Sequence, residues 1–181
     1  ILSAIVVASG GYWQIVLGSF LYQLASILDG CDGEIARIKF MQSKFGEWAD
    51  TVADDICNHS FLIGLTINAY GAGLEIFAYA GLIGVLFSLG CTIMYYTQLI
   101  LYYKSGDLLK IKMFYQKEDG ILPEAPSLST YLQYLVKRDF FVLFFFLLAL
   151  AGVAHYALFC FLFGSSITFA VVFIDFILIL I

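Results

Sequence analysis

Charged residues are scarce in this sequence. Only 13% of its 181 residues are charged, 62% are hydrophobic, and the mean hydropathy is +0.93. Soluble domains carry about 25% charged residues, so this composition excludes an ordinary soluble domain. The net charge is −5, with nine Lys and Arg residues in all. We therefore expect a lipid bilayer as the surroundings of the chain and no nucleic-acid partner.

Proline and cysteine are also sparse. The two prolines, Pro123 and Pro126, both lie in the segment 104–136, which we interpret as a loop. The cysteines show no CxxC spacing, which argues against a metal-binding or redox pair. We expect all four to be small buried apolar residues. They are Cys31, Cys57, Cys91 and Cys160.

Apolar stretches long enough to cross a bilayer recur along the chain. Such a span needs about 20 residues at about 1.5 Å of rise each. The fold class that we predict is an all-α integral membrane protein. The predicted helices are Tyr12–Lys39, Phe45–Ala69, Leu74–Tyr103, Lys137–Val153 and His155–Ile181. Residues 1–9 are interpreted as the remnant of a truncated first helix, which predicts a six-transmembrane-helix bundle forming a single domain, 1–181.

The basic residues are confined to two connections of this bundle. All nine Lys and Arg residues lie between residues 37 and 44 or between 104 and 138. The opposite connections, "GGYW", "YGAGLE" and "VAHY", contain none. Because positive charge in short loops stays cytoplasmic, we predict a multi-pass protein of the cytoplasmic membrane with loop 104–136 inside.

Four aspartates stand close to the first basic turn. Asp29 precedes Lys39 by ten residues and Asp54 follows Lys44 by ten residues, so both should lie at one depth. The spacings i, i+3 and i, i+4 place each pair on one helix face. The pairs are Asp29 with Asp32 and Asp50 with Asp54. Antiparallel neighbouring helices would bring all four carboxylates together near the cytoplasmic surface.

Four clustered carboxylates need protons or cations to offset their repulsion. Oxygen ligands favour Mg²⁺, Mn²⁺ or Ca²⁺, and two divalent ions would balance four negative charges. A cation transporter is the alternative, but it would need carboxylates along a continuous path and would leave the neighbouring Gly, Ala and Arg residues unexplained.

The residues around the aspartates resemble a known family signature. The pattern Asp29-x-x-Asp32-Gly33-x-x-Ala36-Arg37, eight residues, Gly46-x-x-x-Asp50-x-x-x-Asp54 is similar to that of the CDP-alcohol phosphotransferases, with no position departing from it. Eight specified positions at roughly 5 to 10% background each coincide by chance on the order of once in a billion starting points.

This resemblance implies a reaction and roles for residues. The hydroxyl of an acceptor alcohol attacks the β-phosphorus of a CDP-linked donor, either CDP-diacylglycerol or CDP-inositol, and CMP leaves. Asp54 would be the general base. The implied ligands of two Mg²⁺ or Mn²⁺ ions are Asp29, Asp32, Asp50 and Asp54. The implied CDP-donor site comprises Asp32, Gly33, Ala36, Arg37 and Gly46. A homodimer is also implied.

The acceptor is expected to be a polyol phosphate such as inositol phosphate. Its phosphate would meet basic residues at the cytoplasmic helix ends, Lys104, Lys137 and Arg138, although these could equally be positive-inside anchors. The stretches "SILDGCDGEIAR" and "KRDFF" resemble the branch fused to a nucleotidyltransferase domain, which includes makers of di-inositol phosphates from CDP-inositol.

Other polar residues have weaker signals. Asp55 and His59 are i, i+4 partners that could form a structural pair or support Asp54. We interpret His155 as an interfacial polar residue. Asp175 is an acid within a predicted span and so a functional candidate, although it could simply reach water.

Overall fold

The computed structural model describes residues 1–38, 43–103 and 138–180, and these residues form helices with no strand. The helices are α1 (Leu2–Ala8), α2 (Tyr12–Ile38), α3 (Lys44–Gly71), α4 (Glu75–Gln98), α5 (Arg138–Leu150) and α6 (Tyr156–Leu180). A π-helical turn, Leu99–Tyr103, continues α4.

Short turns containing glycine join the helices at one end of the bundle, which we call the outer end. Gly10 and Gly11 separate α1 from α2, and Gly73 separates α3 from α4, all with φ between 74° and 89°. Gly152 has φ 74° in the turn between α5 and α6. Side chains other than glycine rarely adopt this conformation, so these glycines permit the sharp reversals.

Helices α4 and α6 form the most extensive helix pair in the described chain. Glycines on α4 allow the two helices to approach closely, since a Cβ at Gly84 would lie 2.9 Å from Phe161 and one at Gly90 would lie 2.7 Å from Phe169. The small residues of "AGLIGVLFSLG" therefore serve packing within one chain, the role that small residues have between membrane helices.

Aromatic side chains connect α2, α3 and α5. Phe61 of α3 is 1% exposed and stacks on Tyr22 of α2, with ring centroids 4.4 Å apart, and on Phe145 of α5 at 6.1 Å. The backbones of α2 and α3 approach each other at few points, whereas α1 packs closely on both. Helix α1 and the aromatic layer thus hold α2 and α3 side by side without close backbone contact.

The predicted helices agree with the structure to within a few residues. The main differences are that the segment predicted as one helix to Tyr103 ends in a π-helical turn after Gln98, and that α5 ends at Leu150 rather than Val153. The cysteines were only partly predicted, because Cys91 is buried and Cys57 half-buried but Cys31 and Cys160 are exposed.

Two helices are long and apolar enough to cross a membrane among the residues described, Glu75–Leu101 and Tyr156–Ile177. Helices α2 and α3 have 27 and 28 residues, which is sufficient length, but polar residues interrupt their apolar sequence. An all-helical fold is confirmed for the described part. The count of six spans and a truncated first helix stay predictions, and loop 104–136 lies outside the described residues.

Candidate functional site

One face of α3 is fixed against α2 by Tyr22. Its ring stacks on Phe61, and its hydroxyl donates a hydrogen bond to Oδ1 of Asn58. Asn58 and Phe61 are three residues apart and therefore lie on one side of α3. This contact sets both the rotation of the two helices and their axial register.

The expected positions of the motif aspartates follow from that register. Asp29 lies seven residues after Tyr22 on α2, and Asp54 lies seven residues before Phe61 on α3. Seven residues are nearly two helical turns, about 10 Å along the axis, so each aspartate keeps the face of its aromatic partner. Because the helices are antiparallel, Asp29 and Asp54 reach the same level. Both are half-buried, and Asp50, one turn nearer the start of α3, is exposed.

A second face of α3 contacts α4. The Tyr96 hydroxyl donates a hydrogen bond of 2.7 Å to Oδ2 of Asp55, and the Tyr96 ring meets Trp48 edge-on at 5.9 Å. Asp55 follows Asp54 directly but points about 100° away from it around the helix. The adjacent aspartates thus belong to different helix interfaces.

The expected Asp55–His59 side-chain pair takes another form. Nδ1 of His59 lies 2.7 Å from the backbone carbonyl oxygen of Asp55, which can only accept, so Nδ1 carries the proton. Nε2 of His59 is buried and has no hydrogen-bond partner in the structure. The Asp55 carboxylate instead accepts the hydrogen bond of the Tyr96 hydroxyl, a partner that no local spacing in the sequence indicates.

The start of α3 gives a local reason for Gly46. The backbone N–H of Gly46 donates a 3.0 Å hydrogen bond to Oγ of Ser43, the N-cap residue. A Cβ at Gly46 would lie 3.2 Å from that oxygen, a tight contact. The helix cap is therefore one reason for a glycine at position 46. The space that a ligand would need is the other reason, which the motif implies.

Several of the expected site residues lie where the structure describes the helix but not the side chain. They are Asp32, Gly33, Ala36, Arg37 and Arg138. Lys104 and Lys137 lie outside the described residues altogether. The structure therefore describes three of the four aspartates and, of the donor residues, Gly46; the roles of all these residues stay predictions.

The described side chains do not by themselves form a metal site. No three His, Cys, Asp or Glu side chains among them could hold one ion together. The chemistry of the donor set nevertheless fits a hard divalent ion: Asp29, Asp50 and Asp54 contribute only carboxylate oxygens, and Asp50 reaches solvent.

The outer end contains a polar network that the sequence did not reveal. Buried Asn68 of α3 donates a 2.8 Å hydrogen bond from Nδ2 to the Val7 carbonyl of α1, and its Oδ1 lies 2.9 Å from Nε2 of His155. His155 is thus a structural link rather than only an interfacial residue. Its burial lowers the pKa of the imidazole below its ordinary value.

The sequence matches the CDP-alcohol phosphatidyltransferase family over residues 1–177. The chain belongs to this family, as the motif predicted, and membership indicates a phosphotransferase. The family is generally dependent on divalent metals, and its association with membranes agrees with the two apolar helices.

Individual relatives match over shorter stretches. A bifunctional IPC transferase and DIPP synthase of Aquifex aeolicus is 42% identical over 57 residues, 32% of this chain and 13% of the relative. The protein of the same name from Thermococcus kodakarensis is 50% identical over 46 residues, 25% of this chain and 11% of the relative.

A third relative has a different name. The CDP-diacylglycerol–glycerol-3-phosphate 3-phosphatidyltransferase of Mycoplasma genitalium is 39% identical over 57 residues, 32% of this chain and 24% of the relative. The matches thus span only a small part of the relatives' length.

Proposed function

We propose that this chain transfers a substituted phosphate from a CDP-linked donor to the hydroxyl of an alcohol acceptor and releases CMP. The observation that carries the proposal is the contact of Tyr22 on α2 with Asn58 and Phe61 on α3, a register from which we expect Asp29 and Asp54 at one level. Family membership supplies the reaction class.

In this mechanism the acceptor hydroxyl gives its proton to the carboxylate of Asp54. The hydroxyl oxygen then bonds to the β-phosphorus of the donor, and the bond from that phosphorus to the bridging oxygen of CMP breaks. The proton stays on Asp54 and is afterwards released to water. Asp54 is half-buried, so its carboxylate can contact both substrate and water.

Asp29, Asp32, Asp50 and Asp54 would hold two Mg²⁺ or Mn²⁺ ions. When bound, such ions neutralise the diphosphate and stabilise CMP as a leaving group. Arg37, with Gly33, Ala36 and Gly46, would bind the CDP part of the donor, since a guanidinium is suited to phosphate oxygens.

The acceptor in this proposal is a polyol phosphate. Its phosphate would bind Lys104, Lys137 and Arg138. Inositol phosphate with CDP-inositol is the first pair proposed, and the name of the Mycoplasma genitalium relative adds glycerol 3-phosphate with CDP-diacylglycerol as the second. Further parts of the proposal are six spans, a cytoplasmic active site and a homodimer.

The Asp54→Asn variant tests the role of the base. It should lose CMP release by more than about a hundredfold, the lower range for general-base catalysis, and keep measurable binding of the CDP donor. Glu75→Gln, the same change of an acid to an amide at the start of α4, is the matched control. Normal turnover by Asp54→Asn would remove Asp54 from this role.

The Arg138→Ala variant tests the acceptor site. We expect it to raise the KM for the phosphorylated acceptor about tenfold or more and to change the KM for the donor little, because one charged contact to phosphate is lost. Equal changes in both constants would leave Arg138 as an anchor at the membrane surface.

A further inference from the structure

Tyr96 of α4 contacts α3 at two points. Its hydroxyl donates to the Asp55 carboxylate at 2.7 Å, and its ring packs edge-on against Trp48, with centroids 5.9 Å apart and planes at 79°. Trp48 and Asp55 are seven residues apart, nearly two turns, and so lie on one face of α3.

These two contacts lie at either end of the acidic segment of α3. Asp50 and Asp54 both fall between Trp48 and Asp55 in the sequence. A turn of this segment about its axis would break the Tyr96–Asp55 hydrogen bond and also swing both aspartates away from α2. About a quarter turn around the helix, Tyr22 contacts α3 at Asn58 and Phe61, which lie beyond Asp55 towards the outer end.

We propose that Tyr96 is a positioning residue for the reaction, which holds the segment from Trp48 to Asp55 in the rotation that directs Asp50 and Asp54 towards α2. This inference rests on the proposed function. Tyr96 touches neither substrate nor metal in this account. It acts through Asp55 and Trp48.

The hydroxyl and the ring have separable effects. Removing the hydroxyl leaves the ring against Trp48 but releases the charged carboxylate of Asp55, and hydrogen bonds to charged groups are the stronger kind. Loss of groups that orient metal ligands typically costs 10- to 100-fold in metal affinity or activity. An amide at position 55 still offers an oxygen to the Tyr96 hydroxyl.

The test compares Tyr96→Phe, Asp55→Ala and Asp55→Asn in the full-length protein. The readouts are Mn²⁺ affinity by titration, kcat and KM for CMP release, and the thermal unfolding temperature. Tyr79→Phe is the matched control, because it removes a hydroxyl from an exposed tyrosine near the outer end of α4.

We expect Tyr96→Phe and Asp55→Ala each to lower Mn²⁺ affinity and kcat about tenfold, with the KM for the CDP donor within about threefold. Asp55→Asn should keep both near the wild-type values, and the double variant Tyr96→Phe/Asp55→Ala should lose no more than either single variant. Tyr79→Phe should behave as wild type.

Two outcomes contradict the account at different levels. If the wild type is active and binds Mn²⁺, but Tyr96→Phe keeps the wild-type kcat and Mn²⁺ affinity, the positioning role alone is overturned. The same holds if Tyr96→Phe only lowers the unfolding temperature and leaves kcat and Mn²⁺ affinity unchanged. A wild type that neither binds Mn²⁺ nor releases CMP overturns the proposed function itself, and the positioning role with it.

Discussion

Truncation of Phe61 to alanine should weaken the bundle and misplace the motif at once. The ring is 1% exposed and stacks on Tyr22 at 4.4 Å and on Phe145 at 6.1 Å, so it links three helices. Phe→Ala changes in protein cores cost about 3 to 5 kcal/mol. We use the lower value here, because membrane helices are held together by packing and gain no free energy from removing apolar surface from water.

About 3 kcal/mol corresponds to a fall in Tm of about 6 to 12 °C for a chain of this length. The assay is thermal unfolding in detergent, with CMP release measured below the transition, where the loosened register of α2 against α3 should also reduce kcat. Phe163→Ala is the control, since Phe163 is 70% exposed on α6. An exposed site should change stability by no more than about 0.5 kcal/mol. Equal Tm values for the two variants would refute the aromatic layer as the element that sets the register.

Two further predictions concern the outer end and the packing of α1. Because burial holds the pKa of His155 below its usual 6.5, the unfolded chain binds more protons and stability should fall as the pH drops below 6.5. His155→Gln, which can still donate to Asn68, should remove this part of the fall in Tm between pH 7.5 and 5, and an unchanged slope would contradict it. A Cβ at Gly64 would lie 2.5 Å from the Ala4 carbonyl oxygen, so Gly64→Ala should cost about 1 to 3 kcal/mol. At Gly164 a Cβ meets open space, and Gly164→Ala should gain up to about 1 kcal/mol in the same measurement of Tm; the reverse order would be inconsistent with this packing.

The helices could be predicted from the sequence because their ends have local signals. Turns that contain glycine follow α1, α3 and α5, and long apolar stretches lie between these turns. The spacings i, i+3 and i, i+4, together with a short connection between antiparallel neighbours, predict that the aspartates face each other, and this stays a prediction.

The contacts that fix the site could not be predicted, because they join residues far apart in sequence. Spacing favoured His59 as the partner of Asp55, but a tyrosine hydroxyl from α4 lies against that carboxylate instead. Asn68 lies in a largely apolar stretch, and no periodic pattern indicates that it links α1 to His155. Such pairings depend on the packing of whole helices, which local periodicity does not determine.

The most direct test of the central claim is CMP release by the purified full-length protein from CDP-inositol and inositol phosphate, after chelation and after Mg²⁺ is restored. Identifying the product by mass, and offering CDP-diacylglycerol with glycerol phosphate in parallel, names the substrates. We predict release that requires the metal and disappears in Asp54→Asn. Release that persists in the chelated protein would contradict the metal-dependent mechanism. No release with any pair while metal is bound would contradict the enzyme itself and favour cation transport.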